Sequence, residues 1–560
     1  MKKLIAAVLL ALPCAVSAQP AASDPLLEAL KTELNRSAQK LKNAEPSPLY
    51  YIGYEAYDKT SYSLSAQEGT VYSEDARRSR LLDVDVRIGS YALDNTHEMK
   101  GGGAYNSKRQ EVFGLPVEDA PAPLRAEIWN LTDRAYKTAL DQYAKVKMNK
   151  SVTAEEEDKS NDFTAGKPEA FYEKAVFPAF DKAKLRSMAR RLSEKFKPCD
   201  FIYDSTVRFS ADTVNRYMVN SEGSAIVTGN TYIRFIYSLY TRTADGMDLS
   251  TVKIYDSDKP GEIPDEAVIA KDIDASIAAL KAQKNAPPEQ PYSGPVLLES
   301  RAAGVFFHEI LGHRLEGHRQ KSEESGQTFA KMVGQPIMPA FLSVYDDPTL
   351  YRQGAQFLRG FYRYDDEAMP AQRAVLVENG ILKGFLMGRS PIKNFQASNG
   401  HGRRSEGNGA VARQGNLIAV SSKTLPYAEL RKRLIEEAKK AGKPYGLVVT
   451  DISGGFTITE RSLPQSFSVQ VTQGYKVFAD GRPDEPVRGL NLIGTPLQTF
   501  GRILVTGDDY GVFNGSCGAE SGWVPVSAVS PSLLFSEMET EKVQKSNARP
   551  PVLKPPFTDR

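Results

Sequence analysis

Three of the chain's five histidines fall within eleven residues: His308-Glu309-Ile310-Leu311-Gly312-His313-Arg314-Leu315-Glu316-Gly317-His318. Two histidines one helical turn apart, with a glutamate after the first, form the H-E-x-x-H pattern. There both imidazoles hold one zinc and the glutamate serves as general base. Here the spacing is one residue longer, H-E-x-x-x-H. Each residue of a regular α-helix turns about 100°, so His308 and His313 would project roughly 140° apart and would not hold one ion. They converge if the helix carries a π-bulge, or if it ends at Gly312 and the chain curls back. Glycine eases either distortion, so a helix irregularity is expected. A catalytic zinc takes three protein ligands and keeps one position open. The residues leave the third donor undecided: Glu316 and His318 are near, His401 and Cys517 distant.

The elements around this cluster read as follows. Leu26, Leu27, Leu30 and Leu34 recur at helical spacing. Tyr-rich alternating stretches from residue 49 to 99 suit strands. A stripe of Ile128, Leu131, Ala135, Ala139 and Tyr143 predicts a helix over 124–146. Further helices are predicted over 183–196, 270–282, 298–311 and 428–441, the last with Gly442 as its stop. Residues 201–252 return to strands, and Asn379-Gly380 between apolar runs predicts a type I′ hairpin. The fold class is α+β in two domains. A mixed strand and helix N-terminal domain spans 19–284, a Pro-rich linker 285–295, and a β-rich C-terminal domain 296–545, before a Pro-rich tail, 546–560, expected to be disordered.

Composition limits the function classes. The 560 residues carry 71 Lys+Arg against 69 Asp+Glu, so no basic surplus points to nucleic acid as a partner. Three cysteines exclude a disulfide scaffold. Met1-Lys2-Lys3, the apolar run Leu4–Val16 and Val16-Ser17-Ala18 read as a secretory leader cleaved near Ala18. Pro13 before Cys14 argues against acylation there. Cleavage removes Lys2, Lys3 and Cys14, leaving a neutral balance and two cysteines, Cys199 and Cys517. No other apolar run approaches the roughly 20 residues of a membrane span. The mature chain is therefore expected to be exported, periplasmic or secreted, with no stable membrane anchor.

The run Leu298–Gly317 resembles the signature helix of the TldD/PmbA metallopeptidase family. Val377–Leu386 resembles that family's hairpin, and Asn399-Gly400-His401-Gly402-Arg403-Arg404 its glycine-arginine loop. Pro486–Gly489 and Ile493–Leu497 resemble its next strands, and Ser516-Cys517-Gly518 with Gly522–Val526 its cysteine motif. The resemblance implies one zinc per chain, held by His308, His313 and Cys517, with Glu309 as the base acting on a zinc-activated water. It implies hydrolysis of unfolded or partly degraded peptides, and a homodimer or a heterodimer with a PmbA-like subunit. Two departures stand out. His318 replaces a commonly acidic residue, which leaves a rearranged ligand set open. The best-known family members are cytoplasmic, whereas an oxidising compartment would also allow a Cys199–Cys517 disulfide.

Other residues carry weaker signals. His401 reads as a surface or substrate-contacting residue. Arg403 and Arg404 read as a carboxylate clamp or a solvated turn. Gly454 and Gly455 read as a close approach for substrate backbone or as a bulge. Gly101-Gly102-Gly103 reads as a turn, and His97 has no evident metal partner. Two rivals to the peptidase are a non-catalytic peptide-binding or assembly subunit and a zinc amidase acting on cell-wall peptides.

Overall fold

The computed structural model describes residues 24–99, 112–152, 156–322, 325, 327–460, 463, 466–543 and 548–556. The leader with Cys14, and Gly101–Gly103, lie outside the described residues.

Alternating residues build a long sheet, antiparallel except for the short strand Ala170–Glu173, which runs parallel to Ala225–Arg242. Its strands are β1 (Leu49–Gln67), β2 (Thr70–Ile88), β3 (Val112–Leu115), β4 (Ala170–Glu173), β5 (Asp204–Asn220), β6 (Ala225–Arg242) and β7 (Asp248–Ser257). Their order is β3-β2-β1-β5-β6-β4, with β7 also on β6. Four helices complete the N-terminal domain: α1 (Pro25–Leu41), α2 (Pro121–Val152), α3 (Lys182–Glu194) and α4 (Glu266–Asn285). At one end of the strands, Leu30 of α1 and Ile128 of α2 share a core with Ile52, Tyr54 and Val84. At the other end, Leu192 of α3 and Ile273 of α4 share one with Leu64, Phe209 and Phe235. Each helix predicted here exists; α1, α2 and α4 extend beyond the predicted stretch, whereas α3 ends at Glu194, short of the predicted residue 196.

The stretch between the domains is tied down. Arg488 Nε donates to Ala286 O at 2.6 Å, and Tyr292 N to Thr540 Oγ1 at 2.8 Å. β8 (Ser293–Leu298) then enters the C-terminal domain and leads into α5 (Ser300–Ile310). β8 pairs in parallel with Tyr445–Thr457, which pairs with Phe467–Phe478; that strand pairs with Leu490–Gly494, and that one with Leu533–Lys542. The last strand returns to β8 through Leu533↔Leu298, closing a ring. A second sheet runs in the order 381–382, 374–378, 342–346, 416–421, 522–530, 511–519. α5 is wedged between ring and sheet. On the ring side Phe306 meets Phe467 and Phe535. On the sheet side a Cβ on Gly304 would stand 2.9 Å from Ala528 O. A helix apolar all round belongs in such a place.

Asn379 and Gly380 adopt φ of 49° and 79°, as the type I′ turn requires. Gly442 closes its helix at φ 65°. One reading is corrected: Ile493–Leu497 is not continuous strand, because Pro496 at the first helical position starts the short helix Pro496–Phe500. Within the tail, Lys554 Nζ lies 3.6 Å from Asp200 Oδ2.

His97 proves to be a structural ion-pair residue. Its Nδ1 lies 2.6 Å from Asp162 Oδ1 and its Nε2 2.9 Å from Glu156 Oε1. Next to it, Lys321 Nζ from the C-terminal domain donates to Ser160 O and Asn161 O at 3.0 and 2.9 Å. Burial disfavours the imidazolium, but the hydrogen bonds and charges of Asp162 and Glu156 outweigh it and raise its pKa. A raised folded-state pKa stabilises fully below the unfolded value, about 6.5, and the gain is lost as pH rises through the folded value. His97→Gln should therefore cost more stability in urea melts at pH 5.5 than at pH 8.5. An equal cost at both would contradict this assignment.

Candidate metal centre

α5 stops where the histidine spacing demands. The helix ends at Ile310, Leu311 N still donates to Phe307 O, and Gly312–Leu315 continue as a 3₁₀ turn. The change of winding brings the His308 and His313 rings to 5.1 Å between centroids. Of the two distortions expected, the early helix end is the one found. Gly312 leaves room for Gln414, since a Cβ there would lie 1.9 Å from Gln414 Oε1. Gln414 is itself fixed, with Nε2 donating to His308 O at 3.3 Å.

Cys517 arrives from the strand Gly511–Ala519, which pairs with Gly522–Ser530 as Cys517↔Val524. Its Sγ lies 3.3 Å from His313 Nε2. Ligand atoms of His308, His313 and Cys517 all lie within 4.8 Å of one another, and all three residues are buried. His308 Nδ1 is buried without a hydrogen-bond partner, a cost that a ligand at the site would account for. Burial raises the Cys517 thiol pKa, but the charges of His313, His308 and Arg413 overcome it and hold it well below the usual value. His313 is raised well above its usual value, because Cys517 and Glu316 outweigh its burial. Two imidazoles and a thiolate fit a zinc-type ion, whose charge would replace protons on the rings.

Glu309 lies beside this trio, with Oε2 3.9 Å from His313 Nε2. Burial raises its pKa, partly offset by His308, His313 and a backbone hydrogen bond from Gly455. Gly454 and Gly455 belong to a strand with register shifts between Val449 and Gly454, so the bulge reading holds. It also brings the backbone close, since a Cβ on Gly455 would lie 2.5 Å from Val469 Cγ1.

Glu316 and His318 do not join the trio. Glu316 is fully buried, with Oε1 3.2 Å from His313 Nδ1 and Oε2 2.9 Å from Arg319 Nε. Burial raises its pKa, but His313 and Arg319 overcome this and bring it down to about 2. His318 Nε2 meets Glu520 Oε1 instead. The surface reading of His401 is corrected: it is 0% exposed, with Nδ1 by Asn399 O and Nε2 3.2 Å from Asp346 Oδ1. Arg403 and Arg404 form neither a solvated turn nor a free clamp. Arg403 Nη1 donates to Pro525 O at 2.7 Å, and Arg404 pairs with Glu55 and Asp83 across the domain boundary. Cys199 and Cys517 are both free thiols, so no disulfide joins them. Arg413, Gln414 and Glu520 escaped notice. The only trace of the first two was a polar pair inside the run Val411–Leu417.

Residues 291–542 match the family model of the PmbA/TldA metallopeptidase C-terminal domain. A metalloprotease TldD homolog of Buchnera aphidicola is 28% identical over 255 residues, 44% of this chain and 47% of that protein. A zinc metalloprotease TldD homolog of Saccharolobus solfataricus is 24% identical over 245 residues, 44% of this chain and 51% of that one. The matched part of the chain thus spans about half the length of these curated relatives. TldE from Thermococcus kodakarensis shares the fold at a TM-score of 0.57 and 15% identity, covering 92% of this chain and 100% of that one. These matches support a TldD/PmbA-type metallopeptidase domain in the C-terminal half.

Gly312→Ala should displace Gln414 and cost about 1–3 kcal/mol by overpacking. Denaturant melts and zinc retention on dialysis should both fall; unchanged values would show that the turn tolerates a side chain.

Proposed function

We propose that this protein is an exported zinc metallopeptidase that cleaves unfolded or partly degraded peptides. The observation that carries the reading is the convergence of His308, His313 and Cys517 beside Glu309. His308, His313 and Cys517 would hold the ion. Zinc bound there supplies a Lewis acid that makes water nucleophilic near neutral pH and polarises a carbonyl. Glu309 takes a proton from the attacking water and returns it to the leaving amine. The Gly455 N–H steadies its carboxylate, and burial keeps competing water away.

Substrate geometry follows from the strand beside Glu309. β8 pairs with Tyr445–Thr457 only from Leu447 to Val449. Beyond Val449 this strand keeps its pairing with Phe467–Phe478 on the other side. An extended peptide adding at the open edge gains backbone hydrogen bonds without strict sequence preference. The protein would act as a homodimer or with a PmbA-like subunit. Its complete donor set favours the catalytic form over a non-catalytic peptide-binding subunit.

Purified protein should hold about one zinc per chain, consistent with a three-ligand site. Glu309→Gln should keep that zinc while peptide turnover falls about 10²–10⁴-fold, the usual weight of a general base. Cys517→Ser should bind zinc far more weakly, through the two histidines alone. A Glu309→Gln enzyme that cleaves at the wild-type rate would refute the mechanism. Products from muropeptides alone, with none from linear peptides, would favour the amidase. Fractionation of cells expressing the full chain, with and without residues 2–18, tests export: removal should leave the protein in the cytoplasm.

A further inference from the structure

Arg413 is fully buried at the side of the cluster that coordination does not explain. It touches Cys517 twice, with Nη2 donating to Sγ at 3.1 Å and to the carbonyl oxygen at 2.8 Å. Its Nη1 donates to Ser521 Oγ at 2.9 Å and Gly522 O at 3.1 Å, in the turn that follows. Its Nε stands 3.3 Å from Glu316 Oε1, and that same oxygen stands 3.2 Å from His313 Nδ1. One guanidinium therefore spans two candidate ligands that lie 204 residues apart in sequence.

We propose that Arg413 is a positioning residue for the metal, holding Cys517 directly and His313 through Glu316. The inference rests on the zinc-site reading above. A sulfur on a strand end can swing about its Cα–Cβ bond, and three donor atoms bind one ion only if none swings away. The planar guanidinium removes that freedom, because Nη2 grips the sulfur and the carbonyl of the same residue while Nη1 is anchored to Ser521 and Gly522. Glu316 stands at His313 as an ion-pair contact, its Oε1 3.2 Å from the ring nitrogen that Cys517 does not face. Both partners are buried, so water cannot substitute for either contact. The neighbouring Gln414 wedges the turn at Gly312 and holds His308 O. Consecutive residues of one segment thus reach all three ligand residues. Lysine would not replace Arg413: it offers a point charge on a flexible stem, without the fork.

Partners behind metal ligands are commonly worth about 10–100-fold in metal affinity. The test uses the full mature chain, a competing chromogenic chelator to read zinc affinity, and the thiolate-to-metal charge-transfer band of the cobalt-substituted protein. Arg413→Met should weaken zinc by about 10–100-fold and shift or diminish the band. In a Cys517→Ser background the same substitution should cost several-fold less, because its direct target is gone. Arg413→Lys, which keeps charge and most of the volume, covers the case in which the methionine variant does not fold. It should retain the fold, yet bind zinc several-fold more weakly with an altered band. Equal losses with and without Cys517, or an Arg413→Lys protein with wild-type affinity and band, would overturn the proposal. Wild-type protein that binds no zinc would remove the site reading itself, whereas stoichiometric zinc indifferent to Arg413 would remove this inference alone.

Discussion

A thiolate in a dry pocket needs positive charge on more than one side, because burial of an unpaired ion costs far more than any single contact returns. At Cys517 that charge comes from His308 and His313 on one flank and Arg413 on the other. Arg413 and Arg319 then need their own counter-charge, which Glu316 supplies from full burial. Arg319 is shared with Glu520, and Glu520 also takes His318. The charges form a linked series rather than isolated pairs, so removing one member strands its neighbours. His318, where the family resemblance expected an acid, belongs to this series and not to the ligand set.

The backbone is arranged so that those charges meet. α5 supplies His308 from a helix packed on all sides, so the ring inherits the rigidity of the core. The helix must then stop within a few residues, and the 3₁₀ turn at Gly312 re-aims the chain toward Cys517. Cys517 comes from the sheet on one side of α5, while Gly455 comes from the closed ring on the other. Glu309 and the three candidate ligands therefore lie at the seam between two layers, where α5 is wedged. Close approach of α5 to the sheet depends on a small residue, Gly304 against Ala528.

Local signals were the ones legible in the sequence. Helices read from 3.6-residue stripes, the Asn379-Gly380 turn and the irregular end of α5 all depend on residues close together in the chain. The gathering of Cys517 with His308 and His313 came through family likeness, since no spacing rule links positions two hundred residues apart. The loop around His401 was misread because its composition is polar and glycine-rich, which locally means surface. Its burial depends on Asp346, Glu55 and Asp83, which come from distant strands. Arg413 and Gln414 were hidden for the same reason: an Arg-Gln pair looks like solvent-facing strand until Cys517 and Gly312 are placed against it.

The neutral balance expected of the exported chain fits this architecture. If peptides are the substrates, as proposed, selection would fall to shape and backbone pairing, with no overall field to draw charged ones inward. The open edge beyond Val449 suits that task, because main-chain groups are the one feature all peptides share. An unfolded segment can lie flat along such an edge, whereas a folded protein has already paired its own backbone and cannot. The proposed preference for unstructured chains would then require no recognition pocket. On the proposed reading it follows from placing Glu309 beside a strand edge that β8 leaves unpaired beyond Val449.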